Sequence, residues 1–442
     1  MRGIRSILFP PRRPVFPRDG KSVRFFSTPW KTFFHDVENV KPRIAAWGAC
    51  AAALCLAAGA GAEPATRQGL PPILNPPIER LAIWCEFLPY AEVAAHLPVL
   101  AEYGCDLILH VEGESFADPD FARLLRAAER AGVGVDAWLL LPYDQHLYVG
   151  QASVKATRKL ARRAADFFEQ EGLSVRAFVF DCEPSPLLGR ELFAAVRAAS
   201  WRQLGRALRA QMDAERFRKD AAALNRLIAE LRQRGYAVDG AANRAFLDAH
   251  EKDNVVMEDA LNAPVSGMAW DALSFITYRY QASQLSYAAM LNRYATLARR
   301  LYGERAALDV GLIGDYAGIP QNAERAARFG GGAAFYAYLR GMRSVFDLEE
   351  AVGTVLGCGV RRVNLYALDG AVTSVAGLEN WLKAARRARP LSAFARWTPA
   401  RSVQYDALGA LTEMSSRWLT GGSEKTHGKV EFREPAGGAG QR

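Results

Sequence analysis

VRAFVFDCE, residues Val175–Glu183, is an apolar run that turns acidic only at its end, where Asp181 and Glu183 stand two apart. Nine residues rich in Val and Phe, bounded by Gly172 and Pro184, suit a buried β-strand better than a helix. On either side the pattern changes. Lys155–Gln170 and Ala221–Arg234 repeat their apolar residues at three- and four-residue spacing, as amphipathic helices do. A strand set between helices asks for parallel neighbours, because a parallel pair needs a crossover connection.

Outward from this point the same alternation continues. Further strands are expected at Leu81–Glu86 (LAIWCE), Asp106–Glu112 (DLILHVE), Val135–Leu141 (VDAWLLL), Tyr236–Ala242 (YAVDGAA), Ala272–Tyr280 (ALSFITYRY), Leu308–Gly314 (LDVGLIG) and Arg362–Leu368 (RVNLYAL). Helical patterns fall between them, among them Phe121–Ala131, Tyr287–Tyr302 and Leu348–Leu356. Gly104, Gly132, Gly235 and Gly359 each stand just before a strand, where a left-handed residue ends a helix and turns the chain. Eight βα units predict the α/β class and a (β/α)8 TIM barrel. An open doubly wound sheet would want a glycine-rich phosphate loop after the first strand, and the chain has CEFLPY there. Two excursions decorate the minimal barrel: a helical, charged insertion after strand four, Pro184–Arg234, and a glycine loop at Gly330–Gly332 after strand seven.

The formal charge of +9 on 442 residues is concentrated at the start. Residues 1–62 carry ten Lys/Arg and three Asp/Glu, leaving 46 basic against 44 acidic residues in the body, which has no basic stripe with interleaved aromatics. No nucleic-acid partner is therefore expected. The basic start runs into Ile44–Ala62, an apolar stretch that closes on Ala-x-Ala, the order of a signal peptide with Glu63 first in the mature chain. Left uncleaved, the stretch would be a single-span anchor. The chain is thus expected in the periplasm or outside the cell, touching a membrane only through an uncleaved leader. A Pro-rich linker over 63–78, the barrel over 79–420 and a disordered tail over 421–442 complete the expected organisation. Cys85, Cys105, Cys182 and Cys358 match no disulfide scaffold or CxxC metal pattern and read as buried thiols.

In a barrel alternate side chains point inward, and the C-terminal strand ends carry the chemistry. The parity that sends aliphatics outward turns Trp84, Glu86, His110, Glu112, Trp138, Asp181, Glu183, Tyr278, Tyr280 and Tyr366 toward one mouth. Asp181 and Glu183 share a face at roughly 7 Å between Cα atoms. Carboxylates that close raise each other's pKa, so one can stay protonated as a general acid. Trp and Tyr rings offer the flat apolar face and polar edge on which a sugar stacks.

With these residues in place the chain resembles the family 18 chitinase-like glycoside hydrolases, whose fourth strand closes on Asp-x-Glu and whose sixth ends in Met-x-Tyr-Asp. Phe180-Asp181-Cys182-Glu183 represents the first motif and Ile276-Thr277-Tyr278-Arg279 the second. The resemblance implies Glu183 as general acid, Asp181 orienting an acetamido group that acts as internal nucleophile, and Tyr278 bonding to it. The chain departs from the family at Ala177 and Val179, where earlier motif acids would stand, at Arg279 in place of an aspartate, and at Tyr366 in place of a tryptophan. For a sugar without an acetamido group a second carboxylate is required, with Glu86, Glu112 and Asp315 as candidates. Trp84, His110, Trp138, Tyr280 and Tyr366 would then line the substrate site.

Two rival readings use the same residues. His110-x-Glu112 could start a metal site, but metal sites want three or four ligands, and only His146 among the other histidines could approach a strand end. Alternatively the barrel binds a glycan or envelope partner without cleaving it. No GxSxG elbow or nucleotide loop is present, so a carbohydrate partner and no cofactor are expected.

Overall fold

The computed structural model describes residues 78–142, 145, 147–150, 152–197, 200–279, 284–314, 319, 341–342 and 344–391. The leader 1–62, the linker up to residue 77, Tyr280, Asp315, the Gly330–Gly332 loop and the tail 421–442 lie outside them. Eight parallel strands close into a barrel in sequence order: β1 (Arg80–Cys85), β2 (Cys105–Val111), β3 (Val135–Leu139), β4 (Ala177–Cys182), β5 (Ala237–Asn243), β6 (Leu273–Tyr278), β7 (Ala306–Gly311) and β8 (Arg362–Tyr366). The chain is a (β/α)8 TIM barrel, and all eight expected strands are present. Closure comes where β8 pairs with β1, Tyr366 lying opposite Trp84.

Boundaries moved for a physical reason. β7 begins two residues before Leu308, because Ala306 and Ala307 continue the ladder with Leu273 and Ser274 although their small side chains give no hydrophobic signal. Most other strands stop short of their predicted ends, where the last residues leave the ladder and become the mouth.

The helices form where the pattern placed them. The helix Pro119–Ala131 is capped by the Asp118 side chain, which accepts from the Asp120 N–H at 2.8 Å, with Pro119 in the first turn. Its end is Gly132 at φ 71°, a conformation costly for any residue with a Cβ; Gly104, Gly235 and Gly359 end helices in the same way. After β4 come three helices, Pro186–Arg197, Trp201–Gln211 and Ala214–Gln233. The last lays Leu224, Leu227, Ile228 and Leu231 on the barrel wall, and Leu208 joins Val256 and Ala260 in a small satellite core.

Strand alternation divides the core in two. Outward residues such as Leu81, Ile83, Leu107, Phe178, Phe180 and Val310 pack under the helices, and Cys182 goes with them. The four cysteines at 85, 105, 182 and 358 are free thiols, the first three buried. Inward residues fill the barrel in layers. Arg80 Nε lies 2.9 Å from Asp106 at the floor, and its guanidinium also pairs with the fully buried Asp136. Arg176 reaches Asp136 at 2.5 Å and Asp239 at 3.4 Å. Above this lie Ala82, Ile108 and Val179, then Trp84, Trp138 and Tyr366.

Removing one partner of a buried ion pair leaves a charge without compensation. Arg80→Leu is expected to cost about 3 kcal/mol of unfolding free energy in urea. A loss within experimental error of zero would show that Arg176 alone neutralises Asp136.

Candidate active site

The C-terminal end of the barrel opens into a cleft. Trp84 and Glu86 from β1, Trp138 from β3, Asp181 and Glu183 from β4, Tyr278 from β6 and Tyr366 from β8 line it together with Tyr148. Seven side chains expected at the mouth thus meet in one cleft.

β4 supplies the acids. Asp181 is the strand's last inward residue, 5% exposed, with Oδ1 buried and without a hydrogen-bond partner among the described residues. Its carbonyl accepts from the Val149 N–H at 2.8 Å, which ties the 147–150 segment, and Tyr148 with it, to the strand end. Glu183 follows half-buried, and Pro184 keeps its backbone extended. Among the described residues no lysine or arginine pairs with either acid. Burial first, and then the charge of Asp309 below, push the Glu183 carboxyl up to about 7. Burial, Glu183 and Asp309 likewise push Asp181 well above the carboxylate range, against a small opposing pull from the Trp138 indole. That indole N–H is turned toward Asp181 without completing a hydrogen bond.

β1 supplies the floor and a third acid. The Trp84 ring meets Trp138 edge-on at 4.9 Å between centroids and Tyr366 at 6.4 Å; Tyr366 in turn lies 4.7 Å from Tyr278. Glu86, 6% exposed, accepts a hydrogen bond from the Tyr366 hydroxyl. The loop after β1 is fixed from across the barrel seam, where the Asp369 carboxylate accepts from the backbone N–H groups of Glu86, Phe87 and Leu88 at 3.0, 2.7 and 2.9 Å.

His110 and Glu112 sit beside this cleft without lining it. His110 Nδ1 donates to the Glu86 carbonyl at 3.1 Å, a contact that fixes the proton on Nδ1, and Nε2 faces Glu112 at 4.0 Å. Burial lowers the His110 pKa, with Glu112 and Asp369 pulling it back up. Of the candidate second carboxylates, Glu86 reaches the cleft, Glu112 is half-buried beyond His110 and outside the cleft lining, and Asp315 lies outside the described residues, as do Tyr280 and His146. Arg279, which replaces the motif aspartate after Tyr278, is held by Asp347 at 2.7 Å. Among the described residues no three of His, Cys, Asp and Glu gather as a metal would require.

Three residues of the site escaped the sequence reading. Asp309, on β7, is fully buried under the cleft; it accepts from Trp84 Nε1 at 3.1 Å, Asn364 Nδ2 at 2.8 Å and Ser274 Oγ at 2.8 Å. Burial raises it to about 6, and those three donors and Arg80 pull it back down. Its signal was an acid at an inward position of an apolar strand. Asp369 carries no such mark, being one acid in the first turn of the short helix Leu368–Thr373 that follows β8. Gly311 is the third: a Cβ there would fall 2.5 Å from the Tyr366 carbonyl oxygen, so only glycine lets β7 and β8 meet below the mouth.

No family model matches the chain, and no curated protein does. Among solved structures it is similar to the PgaB (BpsB) glycoside hydrolase domain from Bordetella bronchiseptica, at 11% identity over 72% of this chain and 99% of that one, with a TM-score of 0.40. A Group IV chitinase from Ostrinia furnacalis is 9% identical over 69% and 97%, with a TM-score of 0.39. A D-psicose 3-epimerase is 10% identical over 78% and 100%, with a TM-score of 0.35.

A carboxyl whose pKa is raised on folding binds its proton more tightly in the native state. Its contribution is therefore complete below the unfolded pKa and is lost as pH rises through the folded one. Glu183→Gln removes that loss. Between pH 5 and pH 8 the variant should gain on the wild type by about 1–2 kcal/mol in urea unfolding, after allowance for the partial exposure of Glu183. A difference constant over that range would mean that Glu183 ionises as an ordinary surface acid.

Proposed function

We propose that this barrel is an exported glycoside hydrolase with Glu183 as its general acid. The observation that carries the reading is the state of Glu183: a carboxyl held near 7, with no described cation beside it, at a strand-four end inside an aromatic cleft. A proton available at neutral pH is what departure of a sugar's glycosidic oxygen requires. Trp84, Trp138, Tyr278 and Tyr366 supply faces for a sugar ring. Export is supported by the basic, apolar, Ala-x-Ala order of residues 1–62.

The reaction proceeds from a protonated Glu183 aligned with the glycosidic oxygen. As the bond from that oxygen to the anomeric carbon breaks, Glu183 gives up its proton and the ring carbon takes positive charge. Two groups are placed to meet that charge. Asp181, two residues back on the same face, is positioned to orient an acetamido group of the substrate. Glu86, held by Tyr366 from the β1 side, is a protein carboxylate that can attack or activate water directly. Water then completes hydrolysis, its proton returning to Glu183.

The chain from Glu63 onward should release reducing sugar from at least one member of an oligosaccharide panel with and without N-acetyl groups. Glu183→Gln should lower that rate a hundredfold or more, and the wild-type rate should fall as pH rises through about 7, where the acid loses its proton. Substrates confined to N-acetyl sugars would favour Asp181 as the assisting group, and plain sugars Glu86. Saturable binding without turnover would assign the cleft to a glycan-binding barrel.

A further inference from the structure

The cleft has a second storey. Beneath it lies a small gap lined by Arg80, Asp239, Ser274, Arg362 and Asn364, and Trp84 lines both spaces. The Trp84 indole is therefore the partition between the charged barrel interior and the cleft. An indole has one polar atom, and here its N–H is spent on Asp309 at 3.1 Å. Asp309 is fixed in turn from β6 by Ser274 and from β8 by Asn364, both at 2.8 Å. A carboxylate at 0% exposure with three side-chain donors is a costly feature to place in a barrel core. An Asn or a Leu would fill similar space without a charge.

We propose that Asp309 is a positioning residue of the cleft, which locks the Trp84 ring in place as the sugar platform and places a fixed negative charge under Glu183. Its role as an aid to acid catalysis rests on the glycosidase reading above, whereas its grip on Trp84 and its influence on Glu183 do not. The charge acts upward, where no lysine or arginine among the described residues pairs with the cleft acids. Among the described residues the cations near it, Arg80 of β1 and Arg362 of β8, lie on the floor side, where Asp136 of β3 and Asp239 of β5 share them. On the mouth side the facing groups are Asp181 of β4, Glu86 of β1 and the hydroxyls of Tyr278 on β6 and Tyr366 on β8. Below about pH 6 the platform is held by a neutral acid and the charge is gone; above it the charge favours the proton on Glu183. Asp309 and Glu183 thus titrate in sequence, the lower group ionising first.

Asp309→Asn tests this with little change of shape. The amide oxygen can still accept from Trp84 and Asn364, its NH2 can donate to the Ser274 hydroxyl, and only the charge is lost. In full-length protein carrying carbon-labelled glutamate, without any substrate, the Glu183 carboxyl should titrate about one pH unit lower in the variant than in the wild type. If glycoside turnover is present, the high-pH limb of its profile should move down with it. An unchanged Glu183 midpoint in a folded variant overturns the proposal. The wild type provides a second test that does not depend on how the variant folds. Its Trp84 indole N–H resonance should shift with a midpoint near 6, the Asp309 value, and an indole resonance flat between pH 5 and 8 overturns the proposal as well. These titrations read the same whether or not any sugar is cleaved, so the assignment of Asp309 and the glycosidase reading stand or fall separately.

Discussion

A closed eight-stranded sheet must put every second side chain into its own interior, and there is no other route for those groups to reach water. In this protein the interior is not filled with branched aliphatics alone. It takes an ion-paired floor, a polar middle at Asp309, Ser274 and Asn364, and an aromatic top crossed by carboxyls. The acidity of the site follows from that constraint, since a carboxyl aimed inward cannot be solvated in its charged form.

The two ends of the barrel treat their acids differently. At the floor, Arg80 and Arg176 pair with Asp106, Asp136 and Asp239, so negative charge is countered and the residues serve stability. At the mouth, Asp181 and Glu183 find no such cation among the described residues, and both are raised by burial with no arginine to pull them back, whereas Arg176, Arg80 and Arg362 oppose the rise of Asp239 at the floor. Barrels commonly separate a stabilising N-terminal face from a reactive C-terminal one. Here the separation is visible as the position of the arginines. Trp84 is the boundary, tied downward to Asp309 and packed upward against Trp138 and Tyr366.

Much of this was legible in the sequence because it depends on period alone. Alternation between strand and helix spacing located eight strands, and the two-residue period put Trp84, Glu86, Trp138, Asp181, Glu183, Tyr278 and Tyr366 at one mouth. The same period turned Cys182 away from it. What period does not carry is contact between distant segments. Asp369 binds three backbone N–H groups more than 280 residues earlier in the chain, and nothing local marks it for that task. Gly311 is required by the carbonyl of Tyr366 on the next strand, and its neighbours in sequence give no hint of it. Asp309 was readable in principle from its inward parity, but its importance comes from Trp84, Ser274 and Asn364 on three other strands. The distinction between Glu86 and Glu112 likewise needed the fold: strand parity is the same for both, and only the closure of β8 on β1 brings Tyr366 to Glu86.

The claim on which the rest turns is that Glu183 meets a glycosidic oxygen within this cleft. The direct measurement is a crystal structure of Glu183→Gln soaked with the best-bound oligosaccharide. The account predicts a sugar ring stacked on the Trp84–Tyr366 surface, with its glycosidic oxygen within hydrogen-bond distance, about 2.6–3.2 Å, of the amide at position 183. A glycan bound elsewhere on the barrel, or held in the cleft with every glycosidic oxygen out of reach of that amide, would contradict it.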